Sequence, residues 1–434
     1  MSIETIFASA TGAGRAAIAV IRLSGPMVGA VLERIAGRLP EPRSAHYARL
    51  ADPRSGETID RGLILYFPAP NSPTGEDYAE LQIHGGRAVM RAVLTALSAF
   101  SGLREAQPGE FARRSLANGK MDLSQVEGLA DLIEAETECQ RRQAIRALGG
   151  ALRKQVESWR ELLIRALALV EAELDFSDEG DVFEPATALH PLLAPLLEEM
   201  SAVLANGAAS ERLRDGFVVL LLGPPNAGKS TLLNALARRD VAIVSPVPGT
   251  TRDMIEVHLD LGGIPVTLVD TAGLREAKDE IERIGVERTR ARIAEADLLL
   301  WLSEKGADAP ELAAAEGAEL IRVATKADLG NCTSDDLAIS ARTGFGIERL
   351  LDEMAARARQ RLGDGSTAVL TRERHRRLIQ EARDAIEASL DPGKPLEFVA
   401  DDLRVTGRAL GRIVGAVDVE DVLDAIFSQF CIGK

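Results

Sequence analysis

The chain has 434 residues, 46% of them hydrophobic and 27% charged, with a formal net charge of −15. One hydrophobic core rarely grows to this size, so two or three domains are expected. The acidic balance argues against a chain that binds nucleic acid along its whole length, because phosphate contacts need clustered Lys and Arg, and only local basic patches remain as candidates.

Neither a membrane segment nor a disulfide framework is expected. The longest apolar runs, 217–222 and 298–302, are well short of the ~20 residues that span a bilayer. No secretory leader is evident. The cysteines, Cys139, Cys332 and Cys431, are odd in number and far apart, which is typical of a reducing compartment. We therefore expect a cytoplasmic protein.

Residues 1–118 contain short β-like runs at 16–23, 62–67 and 79–83, separated by Gly- and Pro-rich turns. This alternation predicts an N-terminal α/β or α+β domain.

Residues 119–215 change to a helical pattern. Apolar residues recur at three- and four-residue steps over 152–174, which predicts a long helix, and a second helix is predicted over 189–213. The pattern returns over 372–390 and 407–430, within a final segment 357–434. These halves predict one interrupted helical domain, although two small helical domains would give the same pattern.

Residues 216–356, between the helical halves, alternate strand and helix. Buried strands are predicted at 217–222, 265–269, 298–302 and 320–324, each followed by a loop and a helix. This order is typical of a doubly wound, mainly parallel sheet inserted into the helical domain.

The segment from Gly223 to Ser230 has the form GxxxxGK[ST] and lies between a predicted strand and a predicted helix. In such a loop, backbone N–H groups surround phosphates, Lys229 supplies charge at the β- and γ-phosphates, and the Ser230 hydroxyl binds Mg²⁺. The Asp270-Thr-Ala-Gly273 motif follows a strand, which places Asp270 near the Mg²⁺ and the Gly273 amide near the γ-phosphate.

A base-selecting motif, Thr325-Lys-Ala-Asp328, follows the strand 320–324. Asp328 can accept hydrogen bonds from the guanine N1–H and exocyclic amine, whereas adenine would leave a buried carboxylate unpaired. Thr325 stands where this motif usually has Asn. Ser340-Ala-Arg342 is predicted to complete the base pocket, so GTP is favoured over ATP.

The motifs alone leave open which group catalyses GTP hydrolysis. Ras-like enzymes orient the attacking water with Gln at the position that is Leu274 here. Glu282 is a candidate replacement, or else an acidic residue at a helix N-terminus. Arg252 and Arg275 are candidate arginine fingers. The alternative is a monovalent cation held by Asn226 and backbone carbonyls of 245–250.

The motifs GPPNAGKSTLLNAL, PGTTRD, DTAGLREAKDEIERIG, TKAD and SAR resemble those of the TrmE (MnmE) family of tRNA-modification GTPases. The terminal FCIGK and the N-terminal stretches PNSPTGEDYAELQIHGG and PGEFARRSLANGKMDLSQVEGLADLI are similar to that family too. The resemblance covers all three regions of the chain.

The resemblance implies an N-terminal tetrahydrofolate-binding and dimerising domain, a discontinuous helical domain and an inserted Ras-like G domain, over 1–118, 119–215 with 357–434, and 216–356. It also implies a homodimer that works with MnmG, an FAD-dependent partner, in a heterotetramer. Together they would add an aminomethyl or carboxymethylaminomethyl group to carbon 5 of the tRNA wobble uridine. GTP, Mg²⁺, K⁺ and a 5-formyl or 5,10-methylene derivative of tetrahydrofolate are the implied cofactors.

Residue roles follow from the same resemblance. Glu282 would be catalytic, and the Mg²⁺ ligands would be Ser230 and Thr251. The K⁺ ligands would be Asn226, Ser245, Val247 and Thr250, and the folate contacts Arg22, Glu80, Lys120 and Lys434. The predicted GTP-binding set is Asn226, Ala227, Gly228, Lys229, Ser230, Thr231, Ser245, Pro246, Val247, Pro248, Gly249, Thr250, Thr251, Asp270, Thr271, Ala272, Gly273, Thr325, Lys326, Ala327, Asp328, Ser340, Ala341 and Arg342.

Three points stay open from sequence. Cys431, near the C-terminus, is either a participant in the chemistry or a packing residue. The G-domain motifs would also serve a molecular-switch GTPase of ribosome assembly that has no part in covalent RNA chemistry. A folate-dependent one-carbon transferase with a regulatory GTPase is a third reading.

Overall fold

The computed structural model describes residues 4–12, 14–176, 185–243, 256–270, 293–304, 319–330, 337–363, 370–416, 423, 426–427, 430 and 433. These residues form two compact units, 1–130 with 410–434, and 131–409. The boundaries at 118, 215 and 356 stay predictions.

The first unit is built on a six-stranded sheet in the order β3-β4-β5-β2-β1-β6, antiparallel except for the parallel pair β1 and β6. Its strands are β1 (Thr5–Ser9), β2 (Ile18–Ser24), β3 (His46–Ala51), β4 (Thr58–Phe67), β5 (Tyr78–His84) and β6 (Leu103–Glu105). Its helices are α1 (Val28–Ala36), α2 (Arg87–Ser98) and α3 (Glu110–Ala117), and α4 (Leu123–Glu134) begins in it.

Strand periodicity decides which face of this sheet is packed. Successive side chains of a strand point to opposite faces, and β2 buries Ala19, Ile21 and Leu23 in the core that α1 and α2 complete. The opposite face carries Arg22 and the β5 residue Glu80, which are register partners. The α+β architecture predicted from the sequence is confirmed.

The helices of the second unit are α5 (Glu138–Leu148), α6 (Ala151–Phe176), α7 (Pro185–Asp215), α8 (Lys229–Leu236), α9 (Ile347–Leu362), α10 (Glu373–Ser389) and α11 (Leu396–Val414). The predicted apolar face of α6 is buried: Leu152, Val156, Trp159, Leu163, Ala166 and Val170 are at most 4% exposed.

The helical halves pack on each other across the insertion. Arg376 of α10 pairs with Glu211 of α7 at 3.2 Å, and the Arg404 guanidinium of α11 bonds Glu171 of α6. The discontinuous helical domain is therefore confirmed.

Two predicted helix starts were wrong. The helix predicted from 189 begins at Pro185 and continues through Pro191 and Pro195. An interior proline costs roughly 3 kcal/mol, but burying a Leu or Met contributes roughly 1.5–3 kcal/mol. Five such residues of α7 are fully buried: Leu189, Leu193, Leu196, Met200 and Leu213. The helix predicted from 407 begins at Leu396, directly after Pro395, whose carbonyl accepts the Phe398 amide at 3.0 Å.

By length and composition alone, α7 could cross a membrane, because an 18-residue stretch of it has a mean hydropathy of 1.2. Core helices of soluble proteins pass the same criterion. Only 22% of this stretch is buried, and a single such helix is weak evidence, so the prediction of a chain without a membrane segment stays an expectation.

The second unit also contains a seven-stranded sheet in the order β13-β12-β11-β7-β10-β9-β8. Its strands are β7 (Phe217–Leu222), β8 (Ala242–Ile243), β9 (Glu256–Asp260), β10 (Pro265–Asp270), β11 (Leu298–Ser303), β12 (Glu319–Ala324) and β13 (Leu337–Ala338). The neighbouring strands in the run β10-β7-β11-β12-β13 are parallel, but β9 runs antiparallel to both β10 and β8. The inserted doubly wound domain is confirmed, and β8, β9 and β13 are additions to the four predicted strands.

Two aspartates fix the position where the chain enters the inserted sheet. Each forms ion pairs with one arginine that precedes the insertion and one that follows it. Asp131 accepts from Arg214 Nε at 3.1 Å and Arg372 Nη2 at 2.8 Å. Asp297, at the start of β11, pairs with Arg212 and, at 3.3 Å, with Arg361 Nε. Its second oxygen accepts the Val218 amide at 3.0 Å. The aspartates are nearly buried, so these contacts fix where β7 enters the sheet.

Candidate nucleotide-binding site

The loop between β7 and α8 has a backbone that only particular residues can adopt. Gly223 has φ +148°, and a Cβ there would lie 2.2 Å from the Leu302 carbonyl oxygen of β11. Gly228 has φ +96° directly before α8, and Asn226 has φ +65°. Glycine tolerates such angles and Asn is enriched at them. The loop thus turns closely around the N-terminus of α8, where backbone N–H groups favour an anion.

Lys229 lies inside this loop. Its side-chain ammonium donates to the carbonyl oxygens of Gly223 at 2.8 Å and Pro224 at 3.1 Å, and the residue is 8% exposed. An ammonium is a compact charge with three donors. It is therefore placed to exchange these carbonyls for phosphate oxygens at the loop.

Ser230 and Asp270 come together at the edge of the sheet. The Ser230 hydroxyl donates to Asp270 Oδ2 at 2.8 Å, and Asp270, the last residue of β10, is 2% exposed. Hydroxyl and carboxylate oxygens are the ligand type that Mg²⁺ prefers. The pair therefore fits a magnesium ion held beside phosphates.

A cavity of about 240 Å³ lies next to the loop. It is lined by Gly228, Thr231, Leu232, Thr325, Lys326, Asp328, Leu329, Ile339, Ser340, Ala341 and Arg342. Asp328, expected to be a buried carboxylate, is exposed at this cavity. The difference has a simple reason, since only a base seated in the cavity would exclude water from the carboxylate. Leu329, 64% exposed, adds apolar surface at the rim that sequence reasoning did not identify.

Thr325 connects the base motif to the phosphate loop. It is 5% exposed, and its hydroxyl lies 2.7 Å from the Ala227 carbonyl oxygen and 3.2 Å from that of Ser303. The next residue, Lys326, has φ +58° and pairs with Glu304. Thr325, the residue that departs from the usual motif, thus connects the end of β12 to β11 and to the phosphate loop.

Several predicted site residues lie outside the described part of the chain. These are Ser245, Pro246, Val247, Pro248, Gly249, Thr250, Thr251, Thr271, Ala272, Gly273 and Glu282, together with Leu274, Arg252, Arg275, Cys332, Cys431 and Lys434. Their roles stay predictions.

A second group of polar residues lies on the sheet of the first unit. Arg22 Nε and Glu80 Oε1 are 3.3 Å apart, and the Tyr78 hydroxyl donates to the same Glu80 oxygen at 3.0 Å. Burial raises the pKa of the Tyr78 phenol, so this hydroxyl keeps its proton. Arg22 Nη1 also donates to the Gly433 carbonyl oxygen at 3.3 Å, which puts Gly433 beside the pair.

Lys120 lies beside the loop 71–77 of the same unit. A Cβ on Gly75 would be 2.8 Å from Asn118 Cβ and 3.2 Å from Lys120 Cε, so the 71–77 loop packs on this residue. Among the described residues, Arg22 and Glu80 are brought together, while Lys120 makes no direct contact that joins it to them. Lys434 lies outside the described residues, and its role stays a prediction.

Basic residues cluster in two stretches of the sequence, 141–154 and 372–377, and several of them form ion pairs within the protein. Arg141 and Arg142 both pair with Glu138, and Arg153 pairs with Glu157. Arg372 and Arg376 are held by Asp131 and Glu211. The side chains of Arg141, Arg142 and Arg153 stay 46–60% exposed, so they are ion-paired but accessible at the surface.

Comparison with known proteins covers both units. The family description "GTP-binding protein TrmE N-terminus" matches residues 5–120, and "MnmE helical domain" matches residues 123–431. The "tRNA modification GTPase MnmE" of Beijerinckia indica subsp. indica is 52% identical over 440 residues, which cover 100% of this chain and 96% of that protein. The protein of that name from Methylobacterium sp. (strain 4-46) is 54% identical over 443 residues, covering 99% and 100%.

A third relative of the same name, from Rhodopseudomonas palustris, is 52% identical and covers 99% of both chains. Among solved structures, the G domain of the T. maritima FeoB iron transporter covers 33% of this chain and 98% of that one at 23% identity, with a TM-score of 0.25, too low a likeness to support an inference. The full-length matches and the two family descriptions agree. The chain therefore belongs to the MnmE (TrmE) family of tRNA modification GTPases.

Proposed function

We propose that the protein hydrolyses GTP as part of tRNA modification. One observation carries the proposal: the loop that encloses Lys229 and the oxygen pair Ser230–Asp270 lies directly beside a base-sized cavity that Asp328 and the 340–342 segment line. Relatives at 52–54% identity are named for this activity.

In finer detail, we propose a potassium-dependent GTPase that acts as a cytoplasmic homodimer with MnmG, an FAD-dependent partner. The pair would add an aminomethyl or carboxymethylaminomethyl group to carbon 5 of the wobble uridine, with a tetrahydrofolate derivative as one-carbon donor. The contact of Arg22 with Glu80 and with Gly433 supports the folate part of the proposal.

The main site residues each have a proposed task at the nucleotide. The loop amides and Lys229 would bind and orient the phosphates, since positioning and charge stabilisation dominate phosphoryl transfer. Ser230 and Asp270 would hold Mg²⁺, which neutralises charge on the phosphates when bound. Asp328 would orient the base, and Glu282 would position the attacking water.

Replacing Asp328 with Asn tests base selection. The carboxylate accepts two hydrogen bonds from guanine, whereas an amide offers donors in part of that position. We expect Asp328→Asn to bind GTP at least about 30-fold more weakly, as lost hydrogen bonds to a charged group predict, and to gain affinity for xanthosine triphosphate. Calorimetric titration with both nucleotides measures the change.

Asp352→Asn is the matched control, because it makes the same chemical change on α9, away from the cavity lining. It should leave both affinities unchanged. An Asp328→Asn variant with unaltered GTP affinity would remove Asp328 from base recognition.

Glu282→Ala tests catalysis. Leu274 cannot bond a water molecule, so another group must orient the nucleophile, and a positioned side chain contributes about 10²–10⁴-fold. We expect nucleotide affinity to be kept and most of the turnover to be lost in single-turnover assays. Turnover within about threefold of the unaltered protein, a change too small for such a group, would favour a helix-capping role.

The tRNA step is tested by mass spectrometry of wobble nucleosides in tRNA from cells that lack the protein. Loss of the carbon 5 substituent, restored by the intact gene, supports the proposal. Unaltered wobble nucleosides would instead favour a switch GTPase of ribosome assembly.

A further inference from the structure

The hydroxyl of Thr325 has one proton, and the protein uses it. A threonine hydroxyl offers a single donor, and its two near neighbours, the carbonyl oxygens of Ala227 and Ser303, are acceptors only. The Thr325 amide is used as well, because it donates to the Ser303 carbonyl at 2.8 Å. At the cavity, residue 325 therefore offers a methyl group and oxygen lone pairs, but no hydrogen-bond donor.

The chemistry of guanine makes this lack of a donor significant. The N7 and O6 atoms are acceptors, whereas N1–H and the exocyclic amine are donors, the partners that a carboxylate requires. The oxygen lone pairs of Thr325 cannot donate to N7, which is itself an acceptor. Asparagine, usual at this position, has two amide donors and could bond the Ala227 carbonyl while keeping a second donor for the base.

We propose that this pocket selects guanine through its N1–H and exocyclic amine, without a hydrogen bond to N7. Thr325 is then a positioning residue that fastens the phosphate loop to the base motif, and its hydroxyl makes the pocket tolerant of change at N7. The inference rests on the proposed GTP site and deepens it by naming which edge of the base is recognised.

The test compares GDP with 7-deaza-GDP, in which a C–H group replaces N7, by calorimetric titration of the full chain in Mg²⁺. The inference predicts equal affinities within about twofold, since a net hydrogen bond to N7 would be worth about 2- to 12-fold. A loss of more than about twofold with 7-deaza-GDP, the smallest effect of such a bond, overturns it. Failure to bind GDP at all would instead refute the proposed function, so the two failures are distinguishable.

Three substitutions then assign the effect to residue 325. Thr325→Asn should introduce a preference for GDP over 7-deaza-GDP of about threefold or more, the size of one added hydrogen bond. Thr325→Ser keeps the hydroxyl and should bind both nucleotides as the unaltered protein does. Thr325→Val has nearly the same shape without the hydroxyl, so both affinities should fall by the same factor, about 5- to 30-fold, because the Ala227 carbonyl loses its donor while that of Ser303 keeps the residue 325 amide.

The results separate the two parts of the inference. A Thr325→Asn variant that still binds both nucleotides equally would show that residue 325 does not control recognition of N7. A Thr325→Val variant with unchanged GDP affinity would show that the hydroxyl does not position the loop. Should Thr325→Asn fold poorly, the comparison on the unaltered chain still decides whether N7 is recognised.

Discussion

Lys229→Met is expected to lower the affinity for GTP by about 100-fold or more, because each hydrogen bond from a charged donor is worth roughly 1.5–3 kcal/mol and the ammonium can reach more than one phosphate oxygen. Lys229 lies inside the phosphate loop at 8% exposure, within hydrogen-bond distance of two loop carbonyls. Methionine fills a similar volume without the charge. Titration with a slowly hydrolysed GTP analogue measures the loss.

Stability should respond very differently from binding. Removing a buried charge relieves its desolvation, but the partly buried Gly223 carbonyl loses a donor at roughly 1–3 kcal/mol, while the Pro224 carbonyl keeps the Ala227 amide. These effects oppose each other, so we expect the free energy of unfolding without nucleotide to change by no more than about 2 kcal/mol. Lys154→Met, which removes an exposed lysine from α6, is the control for loss of charge. Unchanged binding with a large drop in stability would make Lys229 a structural residue.

The sequence predicted elements well where a local pattern was strong. Continuous apolar runs predicted β7 and β11 within one residue, since strands buried on both faces carry such runs. The strand β9 (EVHLD) was missed, because its alternation spans only five residues. The start of α7 was misjudged because prolines are a local signal against helix, whereas the buried leucines that outweigh them are a tertiary effect.

Contacts between distant residues were beyond a single sequence. Asp131 and Arg372 are 241 residues apart and Arg22 and Glu80 are 58 apart, so no local spacing connects them. The folate assignment came only from resemblance, and the register of β2 and β5 is what pairs two of its residues. For the nucleotide site the motifs identified Lys229, Ser230, Asp270 and Asp328. They did not reveal the tie that Thr325 makes to Ala227.

GTP hydrolysis is expected to be much faster in K⁺ than in Na⁺ at equal ionic strength. The candidate arginine fingers Arg252 and Arg275 lie outside the described residues, and the phosphate loop contains no arginine, so the hypothesis tested is that a bound cation supplies this charge, worth about 10³–10⁵ in rate. Asn226 is exposed at the loop, with a side-chain carbonyl of the kind that replaces the hydration shell of K⁺. The smaller Na⁺ would need the carbonyls to close in further.

Asn226→Gly isolates this ligand. Glycine accepts the φ of +65° without strain, so the loop can keep its shape while the carbonyl is lost. Steady-state phosphate release should fall in K⁺ to the rate seen in Na⁺, with GDP affinity unchanged. Asn206→Gly, on α7, removes the same amide far from the loop in sequence and should preserve the response to K⁺, although Gly within a helix costs about 1 kcal/mol of stability. Equal rates of the unaltered protein in both salts would contradict the cation hypothesis and return attention to Arg252 and Arg275.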